Sequence, residues 1–178
     1  ISASVDGDSI FLDGTDIIST EITLPHGLHI VGSIGSEIKY ATYDATNGNV
    51  FNYNGAYTHQ FVFENLIIKN AGGYGILAKK ALVFEIRRCK FFNNGWDGTN
   101  LNTVVDSVTS GVLGYDSINT DLQAFYAGTH ASNGGAVRLQ ECPSPLIRES
   151  RAQYNLRGFR VQDCGIGGGG FIIENQSL

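Results

Sequence analysis

Ala136-Val137-Arg138-Leu139-Gln140-Glu141-Cys142 returns 22 residues later as Gly158-Phe159-Arg160-Val161-Gln162-Asp163-Cys164. Arg, Gln and Cys are identical in the two copies, and the other positions keep their size class or charge apart from Val to Phe. Self-similarity at a period of about 20–50 residues marks a solenoid, in which one repeat cannot bury its apolar face alone. Inside the repeat, apolar and polar residues alternate with period two, so each coil is built of strands rather than helices. The expected fold is all-β, a single-stranded parallel β-helix of about 6–7 coils.

Composition narrows the function classes. The 178 residues fit one domain, 1–178, with a real core. Hydrophobic residues at 42% exclude disorder, and 16% charged residues with a net charge of −5 argue against a nucleic-acid partner or an anionic membrane. No apolar run approaches the roughly 18 residues that span a bilayer. The 23 glycines suit a fold with many tight turns. Three cysteines (Cys89, Cys142, Cys164) form no CxxC pair and are expected as free thiols acting as small apolar residues. Cys142 and Cys164 nevertheless stack on neighbouring coils, where a bridge is geometrically conceivable. The chain opens at Ile1 without a methionine or signal peptide and stops at Leu178 within what reads as another coil. It is read as a piece of a longer protein.

Along the chain, Gly7 to Leu12 reads as a turn and a short strand. Ile22/Leu24 and Leu28/Ile30 alternate with polar residues around the turn Pro25-His26-Gly27. Residues 36–60, rich in Tyr, Asn and Gly, read as one coil with a decorated loop. Phe61-Val62-Phe63-Glu64-Asn65 is echoed by Leu82-Val83-Phe84-Glu85-Ile86, Leu146-Ile147-Arg148-Glu149-Ser150 and Phe171-Ile172-Ile173-Glu174-Asn175. Glu64 to Glu85 is 21 residues and Glu149 to Glu174 is 25, whereas Glu85 to Glu149 is 64. That excess predicts one long inserted loop over about 99–133, which lacks the coil register and is long enough to be functional. Asn-rich stretches, Lys69-Asn70-Ala71-Gly72 and Phe92-Asn93-Asn94-Gly95, are predicted to close coils, because Asn tolerates the left-handed conformation and bonds to a stacked neighbour.

Gly7-Asp8-Ser9-Ile10-Phe11-Leu12, the run Ile22 to Gly32 and the Asn93-Asn94-Gly95 coil ending together resemble the pectate-lyase-like right-handed parallel β-helix superfamily. The resemblance covers nearly all of the chain except the insertion. It implies a right-handed helix, with Ile1 to Val5 as the tail of a capping helix. It also implies polysaccharide as the partner, with chemistry ranging over lyases, epimerases, hydrolases and phage tailspike-type depolymerases. A Ca²⁺ cofactor is implied by the resemblance alone. The location implied is extracellular, cell-surface or virion, with a homotrimer or further coils of the same chain covering the ends.

On such a fold a substrate lies across one exposed sheet, where side chains of successive coils form ladders about 4.8 Å apart. With Val137, Leu139, Phe159 and Val161 inward, Arg138, Gln140, Arg160 and Gln162 point outward. Two stacked arginines suit the carboxylates of a uronic-acid polymer, as binding groups or as the base of an elimination. The alternative is a surface ladder in which each Arg pairs with Glu141, Asp163 or Glu149. Glu141 and Asp163 share a register, and a coil's separation approaches the roughly 5–5.5 Å of a retaining glycosidase pair. Strict alternation points both inward unless the strands end at Gln140 and Gln162, and turn acids paired with the Arg ladder are the other reading. Trp96 and Asp97 at a coil corner, with Tyr115, Phe125 and Tyr126 of the insertion, suit a sugar-stacking platform, or Trp96 anchors the insertion.

Three further signals are read as carrying no chemistry. His26, His29, His59 and His130 show no metal-ligand spacing and are read as turn or surface residues. Asn119-Thr120-Asp121 matches one polygalacturonase motif without the rest of that signature. The glycines of 165–170 do not open a helix and are read as a corner. The functional expectation is a carbohydrate-active β-helix binding and cleaving an acidic polysaccharide. The alternatives are a structural shaft or adhesin segment without chemistry, or part of an enzyme whose catalytic coils lie beyond Leu178.

Overall fold

A computed structural model describes residues 3–95, 134–153, 155, 158–162, 164 and 173–177. Among these residues every regular element is a strand and every strand pairing is parallel. No helix among them is long and apolar enough to cross a membrane. The strands are β1 (Asp8–Leu12), β2 (Thr15–Ile18), β3 (Ile22–Thr23), β4 (Leu28–Gly32), β5 (Glu37–Tyr40), β6 (Phe51–Asn54), β7 (Gln60–Glu64) and β8 (Ile67–Lys69). They continue as β9 (Tyr74–Lys79), β10 (Val83–Arg87), β11 (Lys90–Phe92), β12 (Gly135–Gln140), β13 (Ser144–Gln153), β14 (Phe159–Gln162) and β15 (Ile173–Ser177).

Each strand from β1 to β9 pairs with the strand three further on, so the chain advances one rung for every three strands. The order β1-β4-β7-β10-β13 makes one ladder, β2-β5-β8-β11-β13 a second, and β3-β6-β9-β12-β14 a third. β13 serves both of the first two ladders, and β15 pairs with it. This all-β, parallel arrangement is compatible with a β-helix.

The 22-residue repeat is a true rung register, since Val137, Arg138, Leu139 and Gln140 lie opposite Phe159, Arg160, Val161 and Gln162. The register read earlier in the chain is corrected. Phe61 and Phe63 lie opposite Phe84 and Ile86, so Glu64 meets Arg87 instead of Glu85. Glu85 in turn meets Leu146, not Glu149. The first slip is two residues, which leaves every side chain on its expected face and is therefore invisible to an alternation pattern. Ala3 to Val5 are not helical, against the expected capping helix. β2 was not anticipated, because Thr15 to Ile18 carries no clean alternation.

The core runs up the middle as stacked aromatic and aliphatic side chains. Phe63 stacks on Phe84 with ring centroids 5.4 Å apart, and Phe61 lies 5.3 Å from Phe84. Phe51, Phe61, Phe63, Phe84 and Phe91 are fully buried, each contributing about 1.5–3 kcal/mol by removal from water.

The corners follow a rule. Six of the seven non-glycine residues with positive φ among those described sit just past a strand's end, Asn65, Asn70, Lys80, Arg88, Asn93 and Glu141, and the seventh, Glu149, lies where β13 passes from the first ladder to the second. Left-handed backbone costs a non-glycine residue about 1–2 kcal/mol. Rung-to-rung bonds hold it, as in Lys80 N to Gln140 O (3.0 Å) and Glu141 N to Gln162 O (2.9 Å). The next residue's N–H then donates to a small polar side chain on the following rung. Ala71 N donates to Asn94 Oδ1 (3.1 Å), Asn94 N to Asn155 Oδ1 (3.0 Å), Cys89 N to Ser150 Oγ (3.2 Å) and Cys142 N to Cys164 Sγ (3.2 Å). The Leu66 and Ala81 amides use the Cys89 and Cys142 sulfurs in the same way. Asn, Ser and Cys thus satisfy backbone donors where the strand ladder stops. The Asn-rich corners are as expected, and the cysteines join them as acceptors.

The predicted insertion, 99–133, lies outside the described residues, but its base does not. A Cβ on Gly134 would stand 2.6 Å from Gly95 Cα and 2.7 Å from Gly73 O. Gly95 and Gly134, the described residues on either side, therefore lie against one another at a single corner.

Candidate functional site

The outward face of the third ladder carries two in-register rows. Thr23, Asn52, Leu77, Arg138 and Arg160 form one, and Asn54, Lys79, Gln140 and Gln162 the other. The strands β12 and β14 place the arginines outward because Val137 and Leu139 are fully buried and Phe159 and Val161 pack on the core. The Arg138 guanidinium donates through Nη2 to Gln140 Oε1 and Gln162 Oε1, both at 3.2 Å. Arg138 thus spans two rungs, held by neutral amides. Among the described residues no carboxylate lies within 4.0 Å of Arg138, Arg160 or Lys79. The expected pairing of Arg138 with Glu141 or Glu149 is therefore corrected.

Glu141 sits on the corner after β12, with φ of 52°, so it escapes the inward direction of strict alternation. Its carboxylate accepts from Tyr57 Oη (3.1 Å) and Gln140 Nε2 (3.3 Å), with Lys80 Nζ at 4.0 Å. Burial and then the Glu141 carboxylate raise the Tyr57 phenol above its ordinary range. Asp163, Trp96, Asp97, Tyr115, Phe125 and Tyr126 lie outside the described residues, as do His130, Asn119-Thr120-Asp121 and the glycines of 165–170. Tyr57, Lys79 and Lys80 were missed, because the insertion between β11 and β12 hides the register that sets Lys79 beside Gln140.

The outward face of the first ladder is a contrast. There Arg87 pairs with Glu85 and reaches Glu64 at 3.8 Å, Arg88 pairs with Glu64 and lies 3.7 Å from Glu149, and Arg148 lies 3.1 Å from Glu85. The hydrogen bond from Arg87 to the Glu85 carboxylate holds the guanidinium proton even more firmly than usual. Every arginine on that face has a glutamate, whereas on the third ladder Lys79, Lys80, Arg138 and Arg160 face Glu141 alone among the described residues. The positive charges of Lys79, Lys80, Arg138 and Arg160 repel a cation, so the face does not fit a Ca²⁺ ion. Among the described residues no three His, Cys, Asp or Glu side chains group as metal ligands.

The histidines are not isolated. His59 Nδ1 lies 2.9 Å from Asp6 Oδ1, His26 Nε2 2.9 Å from Ser4 Oγ, and His29 Nε2 3.7 Å from Glu64. Asp6 also accepts from Gly27 N at 2.7 Å, and that bond, followed by His59, holds its carboxyl below the usual range. These contacts tie the N-terminal segment to the second and third rungs.

No family model matches the chain. No solved structure matches it. The probable glycine dehydrogenase (decarboxylating) subunit 2 of Staphylococcus haemolyticus is 28% identical over 93 residues, 46% of this chain and 18% of that protein. The Oceanobacillus iheyensis protein of the same name is 31% identical over 78 residues, 39% of this chain and 16% of its own. The chain thus spans under a fifth of the length of the curated relatives it matches, and a likeness of that extent settles neither family nor activity.

Proposed function

We propose that this chain is a right-handed parallel β-helix of the pectate-lyase-like kind that binds an acidic polysaccharide across its third ladder. Arg138 and Arg160, stacked on consecutive rungs and free of carboxylates among the described residues, carry the reading. Their spacing of about 4.8 Å is close to one pyranose unit, so a uronic-acid polymer offers one carboxylate per rung. Arg binds a carboxylate through paired, charge-assisted hydrogen bonds, and Gln140 and Gln162 hold Arg138 in place for it. Lys79 and Lys80 extend the cationic strip in a chain of net charge −5, so the strip attracts polyanions that the rest of the surface repels. Glu141, with Tyr57 beside it, is the available proton-transfer group if the bound polymer is cleaved, by elimination or hydrolysis.

Binding to polyuronates and to neutral glycans, measured by calorimetry at two salt concentrations, tests this. Tight, salt-sensitive binding of the acidic polymers alone is expected, with ultraviolet absorbance reporting any unsaturated uronate product. Equal binding of neutral glycans, or none of either, removes the reading. A structural shaft is the second reading, supported by the first ladder, where six charged side chains satisfy one another. A stable trimer in light scattering with no glycan bound would favour it.

A further inference from the structure

The corner that follows the third ladder stacks Ala81, Cys142 and Cys164 on three successive rungs, one residue past the left-handed Lys80 and Glu141. Cys164 Sγ lies over the preceding rung, accepting from Cys142 N at 3.2 Å, with Leu139 O at 3.7 Å. Strands in register bring Cα atoms about 4.8 Å apart, within the 4.4–6.8 Å span of a disulfide. Cys142 is buried and Cys164 only partly so, which makes Cys164 the more accessible of the two. Cys89 occupies a different corner, is buried, and has Ser150 as its rung neighbour.

We propose that Cys142 and Cys164 are an oxidation site that closes into a cross-rung disulfide when the protein meets a small-molecule disulfide such as oxidised glutathione. The Cys164 thiolate attacks one sulfur of the oxidant, breaking its S–S bond and releasing one glutathione thiol. Cys142, its proton given to solvent, then attacks Cys164 Sγ and expels the second glutathione. Two protein thiols are oxidised and one glutathione disulfide is reduced to two thiols. The second step is intramolecular, between side chains of neighbouring rungs. It gives up the Ala81 amide's sulfur acceptor, a weak bond, and links the last two rungs of the third ladder. Burial, which raises the Cys142 thiol to about 11 and Cys89 to about 12, makes the first attack at the less buried Cys164 the open route.

The whole protein is incubated with oxidised glutathione, and free thiols are counted after denaturation, with peptide mapping by mass spectrometry. The expected result is a fall from three free thiols to one, a mass loss of two hydrogens, and a linked pair of peptides containing Cys142 and Cys164. Cys142→Ser, which keeps a corner acceptor, is expected to stop at a glutathione adduct on Cys164, and Cys89→Ser to leave the cross-link unchanged. A lasting glutathione adduct on wild-type Cys164, three unmodified thiols, or a link that includes Cys89 would overturn the assignment.

Discussion

Replacing Asn94 by Ala tests the corner rule at its most buried point. Asn94 is fully buried, and its side chain satisfies two backbone groups: Oδ1 accepts from Ala71 N at 3.1 Å and Nδ2 donates to Ile68 O at 3.1 Å. Nδ2 also donates to Asn155 Oδ1 at 2.9 Å, but that oxygen keeps the Asn94 amide at 3.0 Å. The substitution therefore orphans the Ala71 N–H where water has no access, while Ile68 O keeps its ladder bond from β11. That orphan costs about 1–3 kcal/mol. A domain's whole stability is about 5–15 kcal/mol, so the loss is a large share of it. Asn93→Ala is the control. Its φ of 53° makes a loss of about 1–2 kcal/mol from left-handed strain the expectation. Urea unfolding gives the two losses, and amide exchange at Ala71 gives the local one, since a solenoid's rungs interact only with their neighbours. A loss under about 1 kcal/mol for Asn94→Ala, with Ala71 exchange unchanged, would refute the reasoning.

Arg138→Ala is expected to weaken polyuronate binding about 10- to 150-fold, from the loss of roughly 1.5–3 kcal/mol of charged hydrogen bonding, and Arg160→Ala to do likewise. Unchanged calorimetric affinity in the double variant would place binding elsewhere. Asp6 has a folded pKa below its unfolded value, so its contribution is present above the unfolded value of 3.8 and is lost as pH falls through the folded value. Proteolysis of the N-terminal segment should rise in acid, and Asp6→Asn should remove that pH dependence. Gly134→Ala drives a Cβ to 2.6 Å from Gly95 Cα, and overpacking of this kind costs about 1–3 kcal/mol by urea unfolding. Because Gly95 and Gly134 touch, replacing 96–133 by a short Gly-Ser link should leave the far-ultraviolet circular dichroism of the strands intact; its collapse would show that the rungs depend on the excursion.

Several features were legible in the chain itself. The 22-residue repeat matches the β12–β14 register residue for residue, because both rungs are uninterrupted strands with identical Arg and Gln positions. Outward placement of Arg138, Gln140, Arg160 and Gln162 followed from alternation beside buried Val137 and Leu139. The Phe61 rung was set two residues out, because an even slip preserves the pattern of faces and Phe recurs at both offsets. Lys79, Lys80 and Tyr57 could not be joined to Glu141, since the long excursion between β11 and β12 removes any constant spacing.

The amino-acid order alone determined an all-β fold of stacked strands, since a period-two apolar pattern recurring at one short interval buries its inner face only by stacking. It also determined the cationic row, because each outward position is set by its inward neighbour. Tertiary structure decided which charges are neutralised. Register across rungs gave the arginines of the first ladder their glutamates and left Arg138 of the third with glutamines, through contacts that include residues far apart in the chain. It also turned the cysteines, which read as apolar filler, into acceptors for corner amides, because only the stacking of rungs brings a side chain of one turn over the orphaned N–H of the last.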